Sequence, residues 1–472
     1  MFAKRGLCFI LPAVWLGLAA GGCSQDKKLP RQDTRTQFNV VLVVSDALRQ
    51  DVLGCYGGAA RTPNINRLAQ QGVVFENAYT TSPWTPPSAV SIFTGNYATS
   101  YPSSPLQNTI MVHVPDEEVL CAEVLRDLGY DTAIVNESAQ AGLHNCFQGF
   151  NPPAPDRRVA ARRTLRQILN TRIHHKGSIA ILDYLLRIPK ERNFFVAHWM
   201  LDPHEPFSWN RFTKDIAVDE SKLTKPAGQY TSRKKIDGAL NDEETRYLKA
   251  RYIAEVESVD ERIGFVQTLL KHRQLADNTY LILTSDHGEL FGEHDLFGHG
   301  VNYFQELLRV PLVIAGPELP RGRTIKAAVS LVGLMKTIKE LLGVEYVDNM
   351  QGESFRNVIF NDSVEGRTLY FDDVREHTRV DALLLNNFKL VARSDGTNEL
   401  YDLVHDPREL DNVAAGHGDK VQAMSESLLA QREANAKRHA ANLARFDGSE
   451  LELSEEEEQK LRKELRSLGY IQ

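Results

Sequence analysis

The run FNVVLVVS at residues 38–45, stopped abruptly by Asp46, decides how the rest of the chain is read. Valines and a leucine without polar alternation predict a strand buried on both faces, as in a sheet covered by helices on either side. Two further runs of this kind follow, NFFVAHWM at residues 193–200 and TYLILT at residues 279–284. Between and after them lie stretches with helical spacing. Thr62-Pro63-Asn64 opens a helix carrying Ile65, Leu68 and Ala69 that closes near Gly72, and residues 119–128, 159–188, 243–270 and 332–342 read as helical too. Shorter strands are expected at residues 73–75, 132–135 and 310–315. Strands alternating with helices predict an α/β fold with a doubly wound, mostly parallel sheet. From residue 367, short strands at 369–371, 382–385, 388–392 and 400–403 predict a small antiparallel subdomain. Residues 208–241 are polar and irregular, the pattern of a surface excursion or lid.

The 472 residues are enough for one large α/β domain with a smaller appendage, and 42% hydrophobic with 25% charged residues is ordinary for a globular chain. A net charge of −7 argues against a nucleic-acid-binding surface. Lys4 and Arg5 followed by an apolar stretch at residues 7–20 form an export signal too short to span a membrane comfortably. Leu18-Ala19-Ala20-Gly21-Gly22-Cys23 resembles a bacterial lipoprotein signal, which implies cleavage before Cys23 and a lipid on it; a plain secretory signal is the alternative. The expected divisions are a signal at 1–22, a polar tether at 23–37, a catalytic domain at 38–366, the antiparallel subdomain at 367–415 and a helical tail at 416–472. In the tail, Ser454 and Glu457 form a capping box ahead of Leu461, Leu465 and Leu468. The address is the bacterial cell envelope, where disulfides are permitted; Cys121 with Cys146 is the candidate pair, and free thiols are the alternative.

In a doubly wound sheet, ligands sit outside the carboxyl ends of the strands. The three buried runs end there in Asp46, in Asp202 with His204, and in Asp286 with His287. A single aspartate after a strand is common in turns, but three on one edge point to something shared. Crowded carboxylates repel one another unless a cation neutralises them. Two aspartates, an imidazole and a hydroxyl suit Mg²⁺, Ca²⁺, Mn²⁺ or Zn²⁺. The hydroxyl comes from SPWTPPSAVSIFTG at residues 82–95, in which Thr85 is expected to cap a helix whose first residue is Pro86 and which stops near Gly95. That would set Thr85 at the positive end of a helix, where phosphate and sulfate bind. A plain helix cap is the alternative. A cation on Thr85 would hold its oxygen for attack. His204 or His299 would then protonate the leaving oxygen, or join Asp202 in holding a second ion.

These residues resemble the sulfatase family of the alkaline-phosphatase superfamily. The likeness is carried by residues 39–57 (NVVLVVSDALRQDVLGCYG), 62–68 (TPNINRL), 72–78 (GVVFENA) and 285–300 (SDHGELFGEHDLFGHG). It continues through Arg309-Val310-Pro311-Leu312 and Glu399-Leu400-Tyr401-Asp402-Leu403 with Asp406-Pro407, in order over residues 38–415. The resemblance implies an alkaline-phosphatase-like fold, Asp46, Asp286 and His287 as metal ligands, and Thr85 at the nucleophile position. Asp202, His204 and His299 fall where such proteins bind the transferred group or another ion. Glu289 and His294 read as structural neighbours, and Arg49 belongs to the motif without an assigned role.

The chain also departs from the family. Sulfatases convert a cysteine or serine within Cys/Ser-x-Pro-x-Arg to formylglycine, whereas here the sequence is Thr85-Pro86-Pro87-Ser88-Ala89. Threonine cannot form that aldehyde, the arginine is Ala89, and Ser45 stands where a second aspartate beside Asp46 is usual. A threonine nucleophile resembles the phosphodiesterase and phosphotransferase branches of the superfamily. The expectation is therefore a lipid-anchored, metal-dependent hydrolase or transferase that attacks a phosphate ester, in preference to a sulfate ester, through Thr85. The rivals are a sulfatase working without formylglycine and a non-catalytic lipoprotein that binds anionic glycans or lipids.

Overall fold

The computed structural model describes residues 38–106, 109–137, 144–151, 158–169, 175–208, 210–232, 239–300, 302–346, 348–361, 367–375 and 379–446. The signal, Cys23, the tether and the tail from residue 447 with its capping box lie outside the described residues.

The first strand, β1 (Asn39–Ser45), shows why its run lacks alternation. Val40, Leu42 and Val44 enter one apolar cluster while Val41 and Val43 enter a second on the opposite face. Six more strands complete its sheet: β2 (Val73–Tyr79), β3 (Asp131–Asn136), β4 (Phe194–Met200), β5 (Thr279–Ser285), β6 (Leu312–Ala315) and β7 (Arg323–Ser330). Their order is β7-β2-β6-β5-β1-β4-β3. All neighbours run parallel except β6, which is antiparallel to both β5 and β2. The expected mostly parallel sheet is thus present, with one reversed strand inside it. The edge strand β7 has no counterpart in the sequence reading; only Ile325 and Val329 of it are buried hydrophobics.

Register decides where the polar groups go. Ser45 lies opposite Met200 on one side and Ser285 on the other. The residues that follow those three positions therefore leave the sheet at one edge, and the Asp46 amide is pinned to the Met200 carbonyl at 2.9 Å. Helix α1 (Pro63–Gln71) begins with Pro63, as its sequence requires. The segment 159–188 forms two helices, Arg158–Leu169 and Lys176–Arg187. Residues 210–232 carry only short 3₁₀ turns.

The C-terminal strands β8 (Leu369–Phe371), β9 (Val380–Leu385), β10 (Phe388–Arg393) and β11 (Asn398–Asp402) form an antiparallel sheet in sequence order. Asn386 and Asn387, both at positive φ, make the two-residue hairpin turn between β9 and β10. This sheet is tied to the large one through Asp372. Its amide donates to the Thr81 carbonyl at 3.0 Å, and its carboxylate accepts from the Thr99 amide and hydroxyl at 3.0 and 2.8 Å. Cys121 and Cys146, the candidate pair, form no disulfide, nor does Cys55, and burial pushes the Cys121 thiol up to about 12. Among the described residues no helix is long and apolar enough to cross a membrane.

Candidate metal centre and nucleophile

Thr85 opens helix α2 (Thr85–Thr94), but not as its cap. Trp84 takes the extended cap conformation at φ −158° and ψ 162°, so Thr85 is the first helical residue and Pro86 the second. The expected register is corrected by one residue, with a chemical consequence. An N-cap threonine commits its hydroxyl to its own helix amides, whereas this one lies 3.1 Å from His287 Nε2. The loop before α2 is fastened by Ser88, whose hydroxyl donates to the Ser82 carbonyl at 2.7 Å and accepts from Thr80 at 3.0 Å. Phe93 anchors the far end, edge-on to Phe147 at 4.8 Å, before Gly95 ends the helix at φ 73°.

Around that hydroxyl the strand ends converge. Ligand atoms of Asp46, Asp286 and His287 all lie within 4.8 Å of one another, and the three side chains are fully buried. His287 Nε2 is 3.6 Å from Asp46 Oδ1 and 3.4 Å from Asp286 Oδ2. Its Nδ1 faces the Gly288 carbonyl at 2.8 Å. A carbonyl only accepts, so the proton sits on Nδ1 and the Nε2 lone pair faces the group. The other carboxylate oxygens are held elsewhere. Asp286 Oδ1 accepts from the amides of Ala47 and His287 at 3.1 and 3.0 Å, and Asp46 Oδ2 accepts from Trp199 Nε1 at 3.4 Å. The inward oxygens, Asp46 Oδ1 and Asp286 Oδ2, are buried without a hydrogen-bond partner among the described residues.

Burial, then the charge of Asp286, pushes the Asp46 carboxyl well above the ordinary carboxylate range. Two orphaned buried carboxylate oxygens, an imidazole lone pair and a hydroxyl fit a divalent cation, which would satisfy all four at once. Sequence reasoning missed Trp199, whose indole orients Asp46 from within a run that reads only as apolar strand.

The other anticipated residues sit around this group. The His299 ring lies tilted 4.4 Å from the His287 ring and 5.1 Å from that of His204, so the three imidazoles form a row. His299 Nδ1 is 3.1 Å from Glu289 Oε2, and His204 Nδ1 contacts the Glu205 carbonyl. His294 turns away, stacked 3.6 Å over Phe304. Arg49 clamps the loop after Asp286, donating to the Glu289 carbonyl at 2.9 Å and to Glu293 at 2.8 Å.

Asp202 shares the sheet edge but not the group. Its carbonyl accepts from the Ser45 hydroxyl at 2.7 Å, while its carboxylate takes Arg262 Nη1 at 3.1 Å. Arg262 also binds Glu137, which faces His198 at 2.8 Å. Burial would raise the Glu137 carboxyl, but the Arg262 charge and His198 outweigh it and hold it below the usual range. Arg262 and Glu137 were not anticipated. A signal existed: Arg262 lies three residues after Val259 and four before Val266, both buried on helix α3 (Asp242–His272), where a solvated charge has no place.

Comparison with known proteins gives the family. Residues 38–344 match the family described as Sulfatase, and residues 292–435 match the one described as N-sulphoglucosamine sulphohydrolase, C-terminal. An uncharacterised sulfatase, YidJ, of Escherichia coli (strain K12) is 26% identical over 421 residues, covering 79% of this chain and 82% of its own. An N-acetylglucosamine-6-O-sulfatase of Bacteroides thetaiotaomicron is 23% identical over 495 residues, covering 86% of each. In three dimensions the chain is similar to the phosphonate monoester hydrolase of Agrobacterium radiobacter, with a TM-score of 0.65 and 22% identity over 84% of this chain and 96% of the other.

Proposed function

The chain belongs to the sulfatase family of ester hydrolases, and from that premise we propose that it transfers the phosphoryl group of a phosphate ester through Thr85. The observation that carries the reading is the Thr85 hydroxyl 3.1 Å from His287 Nε2, beside two buried aspartates with orphaned oxygens. Asp46, Asp286, His287 and Thr85 would hold the ion. When bound, that cation supplies positive charge that favours an ionised Thr85 oxygen and offsets charge on the transferred group.

Thr85 releases its proton to solvent, its Oγ attacks phosphorus, a threonine–phosphate bond forms and the bond to the leaving oxygen breaks. His204 or His299, in the row beside His287, gives the leaving oxygen its proton. Water or an alcohol then displaces Thr85. Asp202, held by Arg262, braces the Ser45 end of β1 through its carbonyl. A second reading, sulfate-ester hydrolysis by unmodified Thr85, is favoured by the relative named as an N-acetylglucosamine-6-O-sulfatase, whose name makes a sulfated glycan the matching substrate. The test incubates the protein with Mg²⁺, Mn²⁺, Ca²⁺ or Zn²⁺ and aryl phosphate mono- and diesters beside an aryl sulfate, and searches by mass spectrometry for phosphorylated Thr85. Sulfate turnover without phosphate turnover overturns the first reading in favour of the second.

The N-terminal segment supports export and anchoring of the mature chain to the cell envelope through lipid on Cys23. Cys23→Ser should release it from the membrane fraction; unchanged fractionation refutes the anchor.

A further inference from the structure

The segment after β8 lays one arginine over the residue that precedes the nucleophile. The guanidinium carbon of Arg375 lies 5.1 Å from the centre of the Trp84 ring. Trp84 is bonded directly to Thr85, and a Cβ added at Gly300, the neighbour of His299, would lie 3.6 Å from the Trp84 Cβ. Arg375 is thus one side chain removed from the proposed nucleophile. The backbone beneath it is fixed, because the Asp372 amide donates to Thr81 and the Asp372 carbonyl accepts from Tyr303 Oη at 2.8 Å.

The guanidinium itself is fixed as well. Asp373, fully buried, accepts Arg375 Nε at 2.8 and 2.9 Å and Nη2 at 2.6 Å, and also takes the Arg375 amide at 3.0 Å. That fork occupies one edge of the planar group. The opposite edge, with Nη1, donates to none of the described residues, and the side chain is 25% exposed. An arginine pre-oriented by a buried carboxylate, held over an aromatic ring and unclaimed along its second edge by the described residues can accept a two-oxygen anion.

We infer that Arg375 is a specificity-determining residue that selects esters bearing a second anion, a carboxylate or a sulfate, on the alcohol portion. The inference rests on the reading of the Thr85 loop as the reaction centre. Because Asp373 neutralises the arginine's net charge, the contribution is that of directed hydrogen bonds to an anion, on the order of 10- to 100-fold in specificity.

The test compares phenyl phosphate (phenyl sulfate if sulfate is the group turned over) with its 2-, 3- and 4-carboxy and sulfonate derivatives. The readout is the ratio of kcat/KM for charged over parent ester within one preparation, which cancels the fraction of folded protein. The wild type should favour at least one charged ester by about tenfold or more. Arg375→Lys should reduce that ratio, and Asp373→Asn/Arg375→Gln, which removes the ion pair together, should abolish it. An unchanged ratio in the double variant overturns the inference and leaves Arg375 as a counter-ion for Asp373. Should no ester be turned over, the proposed reaction fails by itself. The ratio of dissociation constants for the same compounds, by titration calorimetry on metal-loaded protein, then decides the arginine: a preference lost in the double variant supports it, and equal affinities overturn it.

Discussion

Replacing Asp286 by asparagine separates the two jobs of the buried carboxylates. Without an ion, Asp46 and Asp286 face each other with ligand atoms within 4.8 Å. Two unit charges at that separation repel by roughly 3.5 kcal/mol at an effective dielectric of about 20. Asparagine removes that repulsion and keeps an oxygen to accept from the Ala47 and His287 amides, the bonds Asp286 Oδ1 makes now. Metal-free Asp286→Asn should therefore be at least as stable as metal-free wild type, with the gain largest at high pH, where Asp46 is ionised. Adding the ion reverses the order. At a hundredfold excess over its Kd, an ion held by the wild type adds about 2.7 kcal/mol, and the variant should gain almost none of it. Urea denaturation in chelator and in each divalent cation reads both effects. Equal stabilisation of the two proteins by the ion would refute the placement of the site. Clear destabilisation of the metal-free variant would refute the repulsion argument.

Four further outcomes are expected. The folded-state pKa of Asp46 is raised above the 3.8 of a free aspartate. Its contribution to metal-free stability is therefore present below that value and lost as pH rises through the folded one, and Asp46→Asn should flatten this part of a stability–pH profile in chelator. Thr85→Ala should reduce turnover by at least about 10³-fold with an unchanged melting temperature, and should leave no phosphopeptide. Arg262→Ala takes the buried counter-charge from the half-buried Glu137 and Asp202 carboxylates and should cost about 1–3 kcal/mol in chemical denaturation, because solvent reaches them only in part. Trp199→Phe keeps the ring packing but removes the donor to Asp46, and should weaken metal affinity by about tenfold or more in a calorimetric titration.

Much of the candidate site was legible because its carboxylates follow strands that announce themselves. β1, β4 and β5 are runs of apolar residues with no alternation, and each ends in a conspicuous polar residue. Two-face burial demands such runs, so local composition alone located Asp46, Asp202 and Asp286 on one edge. Pro63 and Gly95 likewise marked a helix start and a helix end through the backbone angles they prefer. These signals act within a few residues, and a few residues suffice to read them.

What lay beyond the sequence depends on partners far away in the chain. Asp202 and Asp286 look alike as residues after strands, yet one carboxylate goes to Arg262, sixty positions on, and the other to a buried group with Asp46 and His287. The reversed β6 and the edge strand β7 owe their places to pairing with β5 and β2, which no short pattern encodes. The proton on His287 Nδ1, the indole behind Asp46 and the arginine over Trp84 are likewise choices of side-chain direction made by neighbours. Local composition was enough to say which segments become buried strands and which residues emerge at their ends. Which of those residues turn toward one another followed from the folded chain, because direction and register are set by long-range contacts that a local pattern does not contain.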